Sequence, residues 1–466
     1  MLRQRGGGYI RGMPVPDLIE ADLTWIDGRF EPGVTVSLAA DGRIAAVTRG
    51  AAIPGAGAAS RAGGAASPAR RRLRGVALVP GFVTAHSHAF QRGLRGLGER
   101  FPDGAGDFFS WREAMYALVE SLDEARAEEL SRQAFEEMLD AGYTSVGEFH
   151  YIRHLSPERR FALDDAVLSA AASAGIRIVL LHTAYEAGGF DVPLRGGQRR
   201  FETRGVDDYW REHERLSRDV ASIRDGLASI GVVAHSVRAV PWPTIKLLRR
   251  GSRERGQVFH MHVEEVQREV EDCVAAHDRR PMRMVVDELE PGSDFTAIHC
   301  THTLAADLED FAKSGATACL CPSTEGNLGD GICDLPTLRA SGGSIAVGTD
   351  LNSRFSPQEE LRWLEYVQRV ARTRRGVIVD DRGETGPALL RIGTEGGAKS
   401  LSLDAGRIRP GALADLCAID LEHASLEGAS AEMLASAIVF GTGPECVLGT
   451  WVGGRFRARR GSTRCL

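Results

Sequence analysis

Eight short apolar, β-prone runs recur along the middle of this chain, and that recurrence limits its fold more than any other feature. They are "GVALVPGFVTAHSH" (75–88), "TSVGEFH" (144–150), "IRIVLLHT" (176–183), "IGVVAHSV" (230–237), "GQVFHMHV" (256–263), "FTAIHC" (295–300), "ATACLC" (316–321) and "SIAVGTD" (344–350). Helical or loop stretches separate them, among them "DEARAEELSRQAFEEMLDAG" at 123–142 and "FALDDAVLSAAASAG" at 161–175. Strands alternating with helices build parallel sheets, and this number of them predicts an α/β fold, a closed (β/α)8 TIM-like barrel. The rival is an open doubly wound sheet. It calls for a Gly-rich phosphate turn after the first strand, and "AHSHAFQRG" is no such turn.

The two ends follow another rhythm. "ADLTWIDGRF" and "VTVSLAADGRIAAVTR" alternate apolar and polar residues around Asp-Gly turns, the pattern of hairpins. "GALADLCAIDLEH", "AIVFGTG" and "CVLGTWVGGRFR" repeat it near the C-terminus. The ends are expected to meet in a small β-sandwich domain, residues 13–78 with 401–466, around a catalytic barrel at 79–400. Residues 50–68, rich in Ala and Gly, lack the large apolar side chains that build a core and read as a flexible insertion. Residues 1–12 carry no structural pattern, and Met13 is a candidate start.

Composition narrows the class. With 466 residues, 43% hydrophobic and 26% charged, the chain can bury a substantial core. A net charge of −6 gives no reason to expect a nucleic-acid or anionic membrane partner. No apolar run is long enough to span a bilayer, and no signal core opens the sequence. The eight cysteines lie between 273 and 465, with one CxC (Cys319 and Cys321) and no CxxC. That spacing predicts a reduced cytoplasmic chain without a disulfide framework.

The polar residues that end the runs point to chemistry. His86 and His88, His150, His182, His235, His262, His299 and Asp350 all stand at or just past a predicted strand end. In a barrel these C-terminal ends converge on the face that carries the site. Side chains at i and i+2 of a strand share a side, so His86 and His88 reach one ion, or form a hydrogen-bonded pair. His262 and Asp350 complete a His3Asp set whose nitrogen and oxygen donors suit Zn2+ or Fe2+ with one position left for water. His260 faces the same way as His262 and is a candidate supporting group. Glu265 and His299 are placed to move protons between water and an amine leaving group. Glu265 on its own reads more readily as an exposed carboxylate in a first helical turn.

The motifs "PGFVTAHSH", "HMHVEE", "IHCTH" and "VGTD" resemble the mononuclear deaminase branch of the amidohydrolase superfamily. "HSHAFQRGLRG", "FFSWREAMY", "GEFHYIRH", "AHSVRAV", "CLCPSTEGNLGDGI" and "SPQEELRWLEY" narrow the resemblance to the N-formimino-L-glutamate deiminase family of histidine degradation. It runs from about residue 20 through nearly the whole chain, the insertion apart. It implies that His86, His88, His262 and Asp350 hold a divalent metal, usually zinc. It assigns proton transfer to Glu265 and His299, with Asp350 sharing the catalytic work. Gln91, Arg112, Tyr151, His235 and Arg238 would surround the substrate, and a cytoplasmic homodimer fits. Binuclear relatives bridge two ions with a strand-end lysine. Lys246, Lys313 and Lys399, the chain's three lysines, are not at strand ends, so one ion is expected.

The implied reaction is hydrolysis of a linear amidine C–N bond, giving N-formyl-L-glutamate and ammonia. The dicarboxylate substrate suits arginine forks, and Arg112 and Arg238 are where substrate loops belong. Two features depart from the family pattern. Glu264 stands where a smaller residue is expected and would add a carboxylate near the mouth, disfavouring a dianion. "TDLNSRFSP" replaces a Ser-rich loop, and "EGNLGDG" reads as a closing loop. A ring deaminase acting on guanine or a pterin is the nearest alternative, and a catalytically silent scaffold barrel is the alternative of another class.

Overall fold

A computed structural model describes residues 18–50, 70–99, 101, 104, 106, 108–462, 464 and 466. The expected start at Met13 and the insertion at 50–68, except Gly50, lie outside the described residues. Eight strands form one parallel sheet in sequence order: Phe82–Ser87, Tyr143–His150, Arg177–Ala184, Ala228–Ala234, Phe259–Val263, Phe295–His299, Thr317–Leu320 and Ser344–Val347. A parallel bridge between Ser87 and Asp350 joins the last to the first, with Thr349 N–H donating to the His86 carbonyl at 3.0 Å. The (β/α)8 barrel expected from the eight runs is the fold observed.

Alternation along the strands sorts their side chains into two cores. Val83, Phe149, Leu181, Val233, Ile298 and Ala346 pack with one another inside the barrel. Val146, Leu180, Val232, Met261, Ala297 and Val347 join the larger core under the surrounding helices. The helix expected over 123–142 is Glu124–Asp140, and the Asp123 side chain caps it by accepting from Arg126 N–H at 2.7 Å.

The ends of the chain meet in one mixed sheet. Its central strand, Arg70–Pro80, pairs parallel with Leu18–Ile26 and antiparallel with Leu416–Asp420. The Asp27–Gly28 turn between Leu18–Ile26 and Arg29–Glu31 has φ values of 49° and 91°, the left-handed pair a tight hairpin needs. Arg70–Pro80 passes through Gly81 directly into the first barrel strand, so the sheet anchors the strand that carries His86. Among the described residues, no helix is long and apolar enough to cross a membrane.

Candidate metal and active site

The side chains of His86, His88, His262, Glu265, His299 and Asp350 converge at the strand ends, and all but His262 arrive through a break in strand alternation or just past a strand. The register between the first two barrel strands slips between Thr84 and Ser87, and this bulge turns His86 and His88 into the mouth. His262 lies between the outward Met261 and Val263 and needs no such break. His299 follows the inward Ile298 and by alternation would face away, but φ of 74° swings it back. Asp350 has φ of 45° just past the eighth strand.

The donors face one another closely. His86 Nε2 lies 3.2 Å from His262 Nε2 and 3.2 Å from Asp350 Oδ1, and His88 Nε2 lies 3.4 Å from the same oxygen. His262 Nδ1 donates to the His235 carbonyl at 3.0 Å, and His88 Nδ1 to the Phe149 carbonyl at 2.9 Å. Those carbonyls fix the tautomers and leave each Nε2 lone pair aimed into the cluster, as ligating histidines are held. Burial pushes His86 and His262 well below the ordinary imidazole value, and neighbouring imidazoles add to it. Burial, with His86 beside it, lowers His88 to about 3. Converging neutral nitrogens beside a carboxylate repel unless a cation lies between them, so the donor set fits a divalent ion.

Glu265 and His299 stand beside this set. Glu265 Oε1 is 3.5 Å from His299 Nε2, and Asp350 Oδ2 is 3.8 Å from it. Burial disfavours an imidazolium at His299, but Glu265, Glu325 and Asp350 outweigh it and raise His299 to about 10. A cleft opens over the cluster, and Gln91, Arg112, Tyr151, His235, Arg238 and Glu265 all line it. His86 and His299 are fully buried behind that surface. Gln91 Nε2 donates to the Tyr151 hydroxyl at 2.8 Å, and Arg112 stacks on Tyr116.

A model of the amidohydrolase family matches residues 77–457, the barrel and the C-terminal part of the sheet. The chain belongs to the amidohydrolase family. A formimidoylglutamate deiminase of Pseudomonas aeruginosa is 38% identical over 394 residues, covering 83% of this chain and 86% of that protein. A 5-methylthioadenosine/S-adenosylhomocysteine deaminase of Halobacterium salinarum is 28% identical over 75% of this chain and 74% of its own. A crystal structure of an amidohydrolase from Brucella melitensis superposes with a TM-score of 0.84 at 31% identity, covering 95% and 94% of the two chains. These relatives make this amidohydrolase a hydrolase of the deaminase type.

Several sequence expectations change in this amidohydrolase. His150 ends its strand and His182 lies two residues before the end of its own, and neither joins the site. Phe149 and Leu181 take the inward positions, so His150 turns out to Asp164 at 2.9 Å and His182 to His213 at 3.2 Å. Glu264 adds no charge to the mouth. Its φ of 54° sends the side chain behind the strand, where it accepts from Met282 N–H at 3.2 Å and faces Arg280 Nε at 3.5 Å. The same kink brings Glu265 to the cleft. His260 faces the barrel interior like His262, yet its Nε2 pairs with the Ser400 carbonyl at 3.0 Å. Arg238 is not an open fork, because one nitrogen pairs with Glu265 and another lies 3.3 Å from Glu269. Its Nη1 is buried without a hydrogen-bond partner among the described residues.

Two acids escaped the sequence reading. Glu325 lies 3.4 Å from His299 Nδ1 and accepts from Cys321 N–H at 2.8 Å. Asp330, 4% exposed, lies among Glu265, His299, Glu325 and Asp350. "EGNLGDG" therefore does not start as a loop: Glu325 sits on the helix Pro322–Leu328. Pro322 at its first turn and Gly329 just past its end were the signals available in the sequence.

Proposed function

We propose that this amidohydrolase hydrolyses N-formimino-L-glutamate to N-formyl-L-glutamate and ammonia in histidine breakdown. The observation that carries the reading is the 38% identity to a formimidoylglutamate deiminase across 83% of the chain. The cleft supports it with two cations, Arg112 and Arg238, on the wall that a dicarboxylate would meet. His86, His88, His262 and Asp350 would hold one divalent ion, most simply Zn2+, with Fe2+ as the alternative.

When bound, that ion supplies Lewis acidity and acidifies a water molecule near neutral pH. Glu265 takes the proton of the attacking water at Oε1, held in place by Arg238 on its other oxygen. His299, oriented by Glu325 through Nδ1, presents Nε2 towards Asp350 and Glu265 and steadies the negative charge that develops. Glu265 then returns the proton to the leaving nitrogen, the proton of the added hydroxyl follows by way of Asp350, and ammonia departs as the formyl C=O forms and the C–N bond breaks. Gln91 and Tyr151, bonded to each other, orient the substrate from the opposite side.

The aromatic wall of Phe108, Trp111, Tyr116 and Phe201 is the observation that favours a ring substrate instead. Ammonia release from N-formimino-L-glutamate, guanine and 5-methylthioadenosine, with metal content measured on the same sample, decides between them. Turnover of formiminoglutamate alone is expected, and turnover of a ring substrate alone would overturn the proposal. The homodimer is part of the same reading, supported by exposed Trp363, Tyr366 and Val370 along the helix Pro357–Arg372. Light scattering giving twice the chain mass is the expected result.

A further inference from the structure

Behind His299, on the side away from Glu265, lies a second group of ligating side chains. Donor atoms of His299, Cys321 and Glu325 all fall within 4.8 Å of one another, and all three residues are buried. The approach comes through His299 Nδ1, 3.4 Å from Glu325 Oε1, whereas Nε2 faces Glu265 and Asp350. An independent observation points to a cation here. Asp330 is 4% exposed, its charged neighbours are Glu265, His299, Glu325 and Asp350, and neither carboxylate oxygen has a hydrogen-bond partner among the described residues. A buried carboxylate without a partner is unfavourable, and one beside three other acids more so. His299 is the positive group placed among them, while Arg238 serves Glu265 and Glu269.

We propose that His299, Cys321 and Glu325, backed by the charge of Asp330, form a second and weaker divalent-cation site whose occupancy switches the enzyme off. Imidazole, thiolate and carboxylate together select Zn2+ or Co2+ over Mg2+ or Ca2+, which demand oxygen ligands. Binding releases two protons to solvent, that of the Cys321 thiol and that on Nδ1 of the His299 imidazolium, whose lone pair then faces the cation in place of the N–H that met Glu325. A cation at Nδ1 withdraws electron density from the ring and takes Glu325 from its orienting contact, so Nε2 no longer supports the reaction. Thr324 and Leu328, on the same helix as Glu325, line the cleft and give the ion its way in.

This site rests on the metal reading of His86, His88, His262 and Asp350, and cobalt separates the two. That first set contains no sulfur, so only the second produces a thiolate-to-cobalt charge-transfer band. The apo-protein titrated with Co2+ is expected to bind a first equivalent without the band and with full turnover. Further Co2+ should bring in the band and lower ammonia release in step, while Mg2+ does neither. Cys321→Ser should abolish both effects and keep the first-equivalent activity, and Cys319→Ser should keep them. Asp330→Asn should weaken the second equivalent about tenfold or more, and it decides the matter if Cys321→Ser does not fold. Absence of the band, its survival in Cys321→Ser, or second-equivalent affinity unchanged in Asp330→Asn would overturn the proposal. The band needs no substrate, so its failure is distinct from failure of the proposed reaction.

Discussion

Glu264 and Glu265 are neighbours in sequence with opposite surroundings. Glu265 lines the cleft and touches His299 and Arg238, while Glu264 is fully buried against Arg280 and Met282. Glu265→Gln keeps the shape and removes the proposed base, so turnover should fall by about 10²–10⁴ while metal content stays intact. Glu264→Gln should leave turnover nearly unchanged and lower stability by about 1–2 kcal/mol, because Arg280 loses its partner carboxylate. Metal analysis, kcat and thermal unfolding of the two variants check this, and a swap of the two phenotypes would show that the wrong glutamate carries the proton. Arg238 tests the wall beside them. Arg238→Ala should cost about 2–5 kcal/mol of transition-state stabilisation, since Glu265 and Glu269 lose a shared buried cation. Metal content should not change, and unchanged kinetics would remove Arg238 from both its positioning and its substrate role.

At the scale of elements, strand alternation was the readable signal and its breaks were not. His235, two residues after the inward Val233, was legible from periodicity, and so was His262. His150 and His182 misled because position at a strand end says nothing of side, and Phe149 and Leu181 already fill the interior. His299 and Glu265 reach the site through left-handed residues, at His299 itself and at Glu264, which L side chains seldom adopt and no apolar pattern announces. Glu325 sits on a helix of seven residues, too short to show a period. Glu148, on the outward face of the strand Tyr143–His150, yields a prediction at this scale. It accepts from Ala89 N–H at 2.7 Å, at the start of the turn Ala89–Leu94 that carries Gln91. Burial pushes its carboxyl up to about 8, against the pull of the Ala89 and Ser87 hydrogen bonds. A carboxyl raised in the folded state contributes stability in full below its ordinary value and loses it as pH rises through about 8. Glu148→Gln cannot ionise, so it should remove part of the fall in Tm as pH rises from 4.5 to about 8, and be the more stable protein above that range. Parallel Tm curves for the two proteins across that range would place the loss elsewhere.

The whole molecule depends on how its two sheets are tied, because the strand Arg70–Pro80 of one becomes the strand Phe82–Ser87 of the other. The tie is Asp415, just before the strand Leu416–Asp420. Its carbonyl accepts from Gly81 N–H at 2.9 Å, at the passage between sheet and barrel. Its carboxylate takes Arg177 Nε at 2.6 Å and Nη2 at 3.0 Å, and also accepts from Gly453 N–H at 2.7 Å. Arg177 opens the third barrel strand, so one buried carboxylate joins the barrel, the passage to His86 and the C-terminal hairpin. The side chains are 4% and 1% exposed, which removes the salt screening that makes surface pairs weak. Removing one partner leaves the other charge buried and unpaired, and Asp415→Ala should therefore cost about 3–5 kcal/mol. Replacing both, as Arg177→Met with Asp415→Leu, should recover much of that loss, since an apolar pair carries no desolvation penalty. Denaturant unfolding of the two variants at low and high salt checks the argument. Asp415→Ala should also lose bound metal as it loses stability, because the strand that positions His86 is loosened with the sheet. A variant that unfolds early but keeps its metal to the end of the transition would show instead that the barrel holds the site without the sheet's help.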